Sequence, residues 1–187
     1  MTRDDILEAA AQIIAQKGFH AASMQDIAEA VDLRKASLYH HVSSKQEILV
    51  DLLDQALDML IERMEAVVTQ DLPAMEKFRM VMQAYLGLML ERRDLASVLL
   101  LEHRSLEPDK RLRHIPRRDR FEALWRSVIE DGVAEGVFNT EDPGLAIKSV
   151  LGVANWTVMW YQPDGRLSAD EIIEQNVEIL LNGLCSR

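Results

Sequence analysis

The chain has 187 residues, 48% of them apolar, and its 31 acidic side chains outnumber 21 basic ones for a formal net charge of −10. That composition buries a core without help from disulfides or metals, and the single cysteine, Cys185, can form neither an internal bridge nor a cysteine-based zinc site. A nucleic-acid binder relying on bulk attraction is basic overall, so any contact of this chain with nucleic acid must be local.

The expectation is an all-α chain of about nine helices. Ile6, Ala9/Ala10 and Ile13/Ile14 recur at helical spacing, and Gly18 stops that helix where a left-handed terminal residue is usual. Ser23 opens a second, short helix, with Asp26 three residues on as a capping box and Met24, Ile27, Ala28 and Val31 as its apolar side. Leu33 and Arg34 make a turn, a third short helix points Leu38 and Val42 inward, and Ser43-Ser44 ends it. From Lys45 a long helix carries a continuous stripe from Leu49 to Val68 and stops before Pro73.

Ala74 to Arg92 is apolar on nearly all sides, which marks a helix surrounded by others. Leu95 to His103 is helical. The stretch from Arg104 to Arg120 then carries seven Lys/Arg against three Asp/Glu and contains Pro108 and Pro116. Helical periodicity returns from Arg118 to Val137. Asp142-Pro143 is an N-cap followed by a first-turn proline, and Ser168 with Glu171 a capping box; they open helices of about 143–161 and 169–184. No stretch alternates like a strand. Charge interrupts every apolar run before the ~20 residues of a membrane span, and no basic-then-apolar leader opens the chain, so a cytoplasmic protein without membrane contact is expected.

Three short N-terminal helices, the second and third joined tightly, suggest a helix-turn-helix. The placement of chemistry strengthens that reading. Arg34, Lys35, Ala36 and Ser37 open the third helix, where Arg or Lys can reach guanine edges and small side chains permit close approach to a major groove. Tyr39, His40 and His41 follow on the next turn and can donate to phosphate oxygens, as can Lys45. The Ser23 hydroxyl lies beside the exposed amides of the second helix. Double-stranded DNA is the expected partner.

The run "ILEAAAQIIAQKGFHAASMQDIAEAVDLRKASLYHHVSSKQEIL" resembles the N-terminal domain of the TetR (tetracycline-repressor-like) transcriptional regulators over about 45 consecutive residues. The likeness covers Gly18-Phe19, Ser23 to Ala28, and Leu38-Tyr39-His40 leading into Lys45. Ala36-Ser37 stands where that family often has Gly-Thr, and Val42 where it often has Phe. The resemblance implies a DNA-binding domain at 1–46 and an effector-binding and dimerisation domain at 47–187. It implies a homodimer joined through helices 143–161 and 169–184 as a four-helix bundle, and repression of transcription at a palindromic operator until ligand binds. "GLAIKSVLGVANWTVMWYQPDGRLSADEI" looks like the C-terminal region of a subgroup responding to acyl-CoA thioesters.

Met75, Phe78, Met82, Tyr85, Met89, Trp125, Trp156, Met159 and Trp160 together suit a deformable apolar cavity, while each taken singly is better suited to a plain core. Arg117 and Arg118, with Arg111, Arg113 and Arg120, can hold the phosphates of coenzyme A at a cavity mouth, or form a solvated loop paired with acidic flanks. A multidrug-type sensor of hydrophobic compounds, and an acyl-thioester-binding protein or enzyme without DNA binding, are the alternatives. No cofactor, no metal site and no catalytic residue is expected. Adjacent His40 and His41 point apart on a helix, no nucleophile stands in a recognisable context, and no Gly-rich phosphate loop is present.

Overall fold

The structure, a computed structural model, describes residues 2–185. Those residues form nine α-helices and one 3₁₀ turn: α1 Arg3–Lys17, α2 Met24–Ala30, α3 Lys35–Leu38, α4 Lys45–Val68, α5 Ala74–Glu91, α6 Arg93–Glu102, α7 Pro108–Ala134, α8 Pro143–Trp160 and α9 Ala169–Leu184, with the 3₁₀ turn at His103–Ser105. They fall into two compact units, Met1–Asp58 with Arg92–Arg117, and Met59–Glu91 with Arg118–Arg187. The chain passes into the second unit along α4, returns to the first after Glu91, and passes into the second again along α7.

In the first unit the helix ends are set by local chemistry. Thr2 and Asp5 cap α1 reciprocally, and Ser23 and Asp26 do the same for α2. Gly18 ends α1 at φ 78, a backbone angle that side chains with a Cβ resist. The turn between α2 and α3 is centred one residue earlier than the sequence suggests: Asp32 adopts φ 53, and the Leu33 N–H returns to the Ala28 carbonyl at 2.8 Å. Aspartate tolerates this left-handed conformation better than most residues. Ile6, Ile14, Ile27, Leu38, Ile48 and Leu49 close the core beneath the three short helices, and α6 packs along α1. Ser44 caps α4 by accepting from the Glu47 N–H at 3.1 Å.

The basic stretch departs from expectation. Instead of an irregular segment leading to a helix at Arg118, α7 begins at Pro108 and runs through Pro116. Pro108 suits a first turn, where its missing N–H has no partner to lose. Pro116 leaves the Leu112 carbonyl without its helical donor, and Leu112 is 68% exposed, so water can take that place. The expected return of helical periodicity at Arg118 therefore places the helix start too late in the chain.

In the second unit α5 is buried on several sides, through Phe78, Val81, Met82, Tyr85, Leu86, Leu88 and Met89, as expected of a central helix. It packs against α8 and α9, with Trp125, Val128 and Ile129 of α7 fully buried in the same unit. Asp142 and Ser168 cap α8 and α9. After α7 the chain turns so sharply that the Phe138 ring lies 2.1 Å from where a Cβ on Gly132 would stand. Only glycine fits there.

The Asp32 conformation gives a test of the turn that sets α3. Asp32→Val should lower unfolding stability by about 1–2 kcal/mol, because a β-branched side chain resists the left-handed region. Asp32→Gly should stay within about 0.5 kcal/mol of the parent. Urea unfolding followed by far-UV circular dichroism makes the comparison; equal stability of both variants would remove the conformational account.

Candidate functional site

Arg34, Lys35, Ala36, Tyr39, His40 and His41 are exposed, Ser37 is half-buried, and Leu38 and Val42 beneath them are buried. The α3 turn is thus held from below while its polar face stays in water. No Asp or Glu stands between Asp32 and Glu47, and Arg34 and Lys35 make no ion pair among the described residues. Elsewhere many cations are paired with carboxylates: Lys17 with Asp26, Arg63 with Glu91, Lys77 with Asp131, Arg79 with Glu178 and Arg120 with Glu65. In an acidic chain, the segment that opens α3 keeps its positive charge uncompensated and holds no acid of its own. Tyr39, 47% exposed, puts a phenol beside it.

Lys45 has a different occupation from the phosphate contact the sequence suggests. Its ammonium donates to the carbonyls of Ala22 at 2.6 Å, Phe19 at 2.7 Å and His20 at 3.3 Å, and it lies 4.6 Å from the centroid of the Phe19 ring. Three donors meet three carbonyls, so the first residue of α4 ties down the connection between α1 and α2. The same connection is held by Glu102, which accepts from the Phe19 N–H at 3.0 Å. Ser23 is engaged locally too. Its hydroxyl donates to the Asp26 carboxylate at 2.7 Å, and the Lys17 bond to Asp26, followed by those from Ser23, keeps that carboxyl far below its usual range. At Ser23 the groups left for an anion are backbone amides.

Three arginines of the basic stretch, Arg117, Arg118 and Arg120, are turned to carboxylates. Arg117 donates from Nε to Asp58 at 2.8 Å and reaches Asp54 at 3.1 Å; the Asp58 bond first, then the charge of Asp54, holds its guanidinium more basic than usual. His114, 6% exposed, meets the other oxygen of Asp54 at 2.8 Å. Arg111 donates to the Arg104 and Leu106 carbonyls. Arg118 is the looser one, 3.5 Å from Asp119 and 3.8 Å from Glu122.

Four of the residues expected to line a cavity, Phe78, Met82, Tyr85 and Met89, share one face of α5 and are all buried. Tyr85 and Trp125 meet edge to face at 5.6 Å between centroids, with Phe121 at 5.7 Å from Tyr85 and 6.5 Å from Trp125. The Tyr85 hydroxyl donates to Asn155 Oδ1, and burial pushes its phenol far above the ordinary value. Trp156 and Trp160 do not join this cluster: they are 68% and 50% exposed. They share a stripe of α8 with Leu145 and Val153, while Ala146, Ile147, Val150, Ala154, Thr157 and Val158 take the inward face. Ile179 of α9 is exposed as well, at 66%.

Residues 6–52 match the family described as bacterial regulatory proteins, tetR family, and residues 71–184 match the tetracyclin repressor-like C-terminal domain. The chain belongs to the TetR family. Across 97% of its length it is 30% identical to the HTH-type transcriptional repressor KstR2 of Mycolicibacterium smegmatis, covering 90% of that protein. The TetR-family regulator PfmR from Thermus thermophilus superposes with a TM-score of 0.85 at 37% identity, over 95% of this chain and 97% of the other. AibR, solved in complex with isovaleryl coenzyme A and operator DNA, gives a TM-score of 0.87 at 28% identity, over 96% and 97% of the two chains. This TetR-family chain is accordingly a transcriptional regulator. Among its described residues no helix is long and apolar enough to cross a membrane, and no three His, Cys, Asp or Glu side chains gather as metal ligands would.

Asn155, Asp54 and His114 carried no signal in the sequence, because each becomes notable only through a partner 60 or 70 residues away. Phe19 did carry one, an aromatic directly after the helix-stopping glycine. The Lys45 clamp separates two roles for that residue. Lys45→Met should cost about 1.5–3 kcal/mol of stability in urea unfolding, the range for hydrogen bonds to a charged group. If Lys45 instead served a phosphate, stability would be unchanged and the slope of log K against log salt for DNA binding would fall by about one.

Proposed function

We propose that this regulator binds a palindromic operator as a homodimer in the cytoplasm, most often to repress, and that a hydrophobic effector releases it. The observation that carries the DNA-binding part is the exposed, uncompensated pair Arg34 and Lys35 at the head of α3, with Ala36, Ser37, Tyr39, His40 and His41 around them. In this reading residues 1–46 read DNA, with Arg34 and Lys35 at base edges and Tyr39 and the histidines at phosphates. Residues 47–187 bind effector and the second copy. The regulator acts by binding equilibria, and no residue is assigned a catalytic role.

The exposed stripe Leu145, Val153, Trp156 and Trp160 on α8, with Ile179 on α9, supports a dimer built on those two helices. Large apolar side chains in such a row are costly to leave in water, and a symmetric partner presenting the same row covers them. The Phe78, Met82, Tyr85, Met89 and Trp125 interior supports an apolar effector, since methionine adapts its shape and the aromatics offer area. The AibR complex supports an acyl-CoA thioester, with Arg118, the looser of the two candidate arginines, at its phosphates. A second reading, a sensor of hydrophobic compounds lacking phosphate, draws support from Arg117, whose fork is already shared by Asp54 and Asp58.

The two activities are linked thermodynamically in this mechanism. Effector binding displaces α4, the helix that starts at the Lys45 clamp, and the spacing between paired α3 segments departs from the roughly 34–36 Å of one helical turn. A coupling of about 1–3 kcal/mol suffices. Lys35→Ala with Tyr39→Ala should abolish operator retardation while the helical spectrum and the dimer persist; retained binding would remove the assignment of the reading surface. Calorimetry should show operator DNA weakening effector affinity by the same factor by which effector weakens operator affinity, and an unchanged effector affinity would exclude release by linkage.

A further inference from the structure

The indole N–H of Trp125 is the anomaly of the second unit. The side chain is fully buried, and its Nε1 has no hydrogen-bond partner among the described residues. Nearly all buried donors in folded proteins are served, and an unserved one weakens the fold that holds it. The Tyr85 hydroxyl, which donates its proton to Asn155 Oδ1, keeps an oxygen able to accept, yet no hydrogen bond joins it to the indole, and the two rings meet edge to face. Thr157, another buried polar side chain of this unit, donates its hydroxyl to the Val153 carbonyl at 3.0 Å. An orphan donor thus stands in an aromatic interior flanked by Tyr85 and Phe121, where α5 also presents Met82 and Met89 at helical spacing from Tyr85.

We propose that Trp125 is the polar recognition point of the effector site, donating its indole N–H to a neutral carbonyl oxygen of an otherwise apolar ligand. The inference rests on the reading that the effector enters this helical interior, and it names the functional group read there. The class follows from what surrounds the donor. Among the described residues no Asp, Glu, Lys or Arg of either unit is fully buried. A carboxylate placed at Trp125 would therefore have no counter-ion, and charge buried without one is strongly disfavoured. A carbonyl of a thioester, ester or ketone accepts one hydrogen bond and brings no charge. A plain hydrocarbon would bury the same area and leave the donor unserved. The selectivity is of the kind in which a site built around a polar group rejects the analogue lacking its partner.

The test uses the intact protein with indole-¹⁵N-labelled tryptophan. Its probes are saturated acyl-CoA thioesters of four to sixteen carbons, the S-alkyl-CoA thioethers of the same lengths, and long-chain methyl ketones. The expected result is that carbonyl-bearing probes shift the Trp125 indole resonance downfield, and that Trp125→Phe weakens them about tenfold while leaving the thioethers unchanged. Because Trp125→Phe also removes volume, the same comparison is made with 3-benzothienylalanine at position 125, which keeps the ring shape and lacks the N–H. It should reproduce the selective loss.

Equal affinity of thioester and thioether would overturn the proposal, as would an indole resonance that no probe moves, the behaviour of an N–H already resting on the Tyr85 ring. Failure of every carbonyl probe to bind overturns it too. Operator retardation run alongside keeps the two readings apart: a thioether that releases DNA at the same concentration as its thioester leaves the regulator standing and removes the role of Trp125.

Discussion

One ammonium group holds the reading surface in place. Lys45 gathers the carbonyls of Phe19, His20 and Ala22 and lies against the Phe19 ring, so the start of α4 and the connection before α2 are a single joint. Without it those carbonyls would have to find water beside a ring that excludes it. Everything exposed on α3 takes its direction from this joint and from the Leu38 and Val42 side chains beneath. A four-residue helix such as Lys35–Leu38 has no stability of its own, because nucleating a turn costs more than one hydrogen bond returns. It exists here because its neighbours are fixed.

The second constraint is the distribution of charge. With a net charge of −10 the body of the protein repels DNA at long range, and its carboxylates engage many of the cations that might oppose that, Arg117 and Arg120 among them. Arg34 and Lys35 remain uncompensated on an acid-free segment. Contact with DNA is then favourable only when that segment sits on the duplex, which suppresses nonspecific binding. A basic protein of the same fold would bind more tightly everywhere and discriminate less.

Much of the architecture was legible because its signals are local. Capping residues Ser23, Asp142 and Ser168, the glycine after α1 and the stripe of α4 each declare themselves within a few positions, and all appear where the spacing puts them. What stayed hidden depends on distant partners. Lys45 reads as one more cation near a DNA surface until its contacts about 25 residues back are seen. Arg117 reads as a free phosphate ligand until Asp54 and Asp58 appear beside it. Trp156 and Trp160 read as cavity walls because composition cannot tell an inward tryptophan from one on the opposite face of the same helix. Pro116 is a different case: α7 runs through it, and the exposed Leu112 carbonyl that loses its helical donor can turn to water.

In the proposed mechanism the joint at Lys45 makes the reading surface follow α4, and pairing of two copies sets the gap between the surfaces. Spin labels at the exposed Gln25 of α2, measured by pulsed dipolar spectroscopy, report that gap without touching α3. The account predicts one intermolecular distance population that narrows on operator DNA and moves to a different value with effector. Absence of any intermolecular coupling, or the same distribution with and without a bound effector, would contradict it.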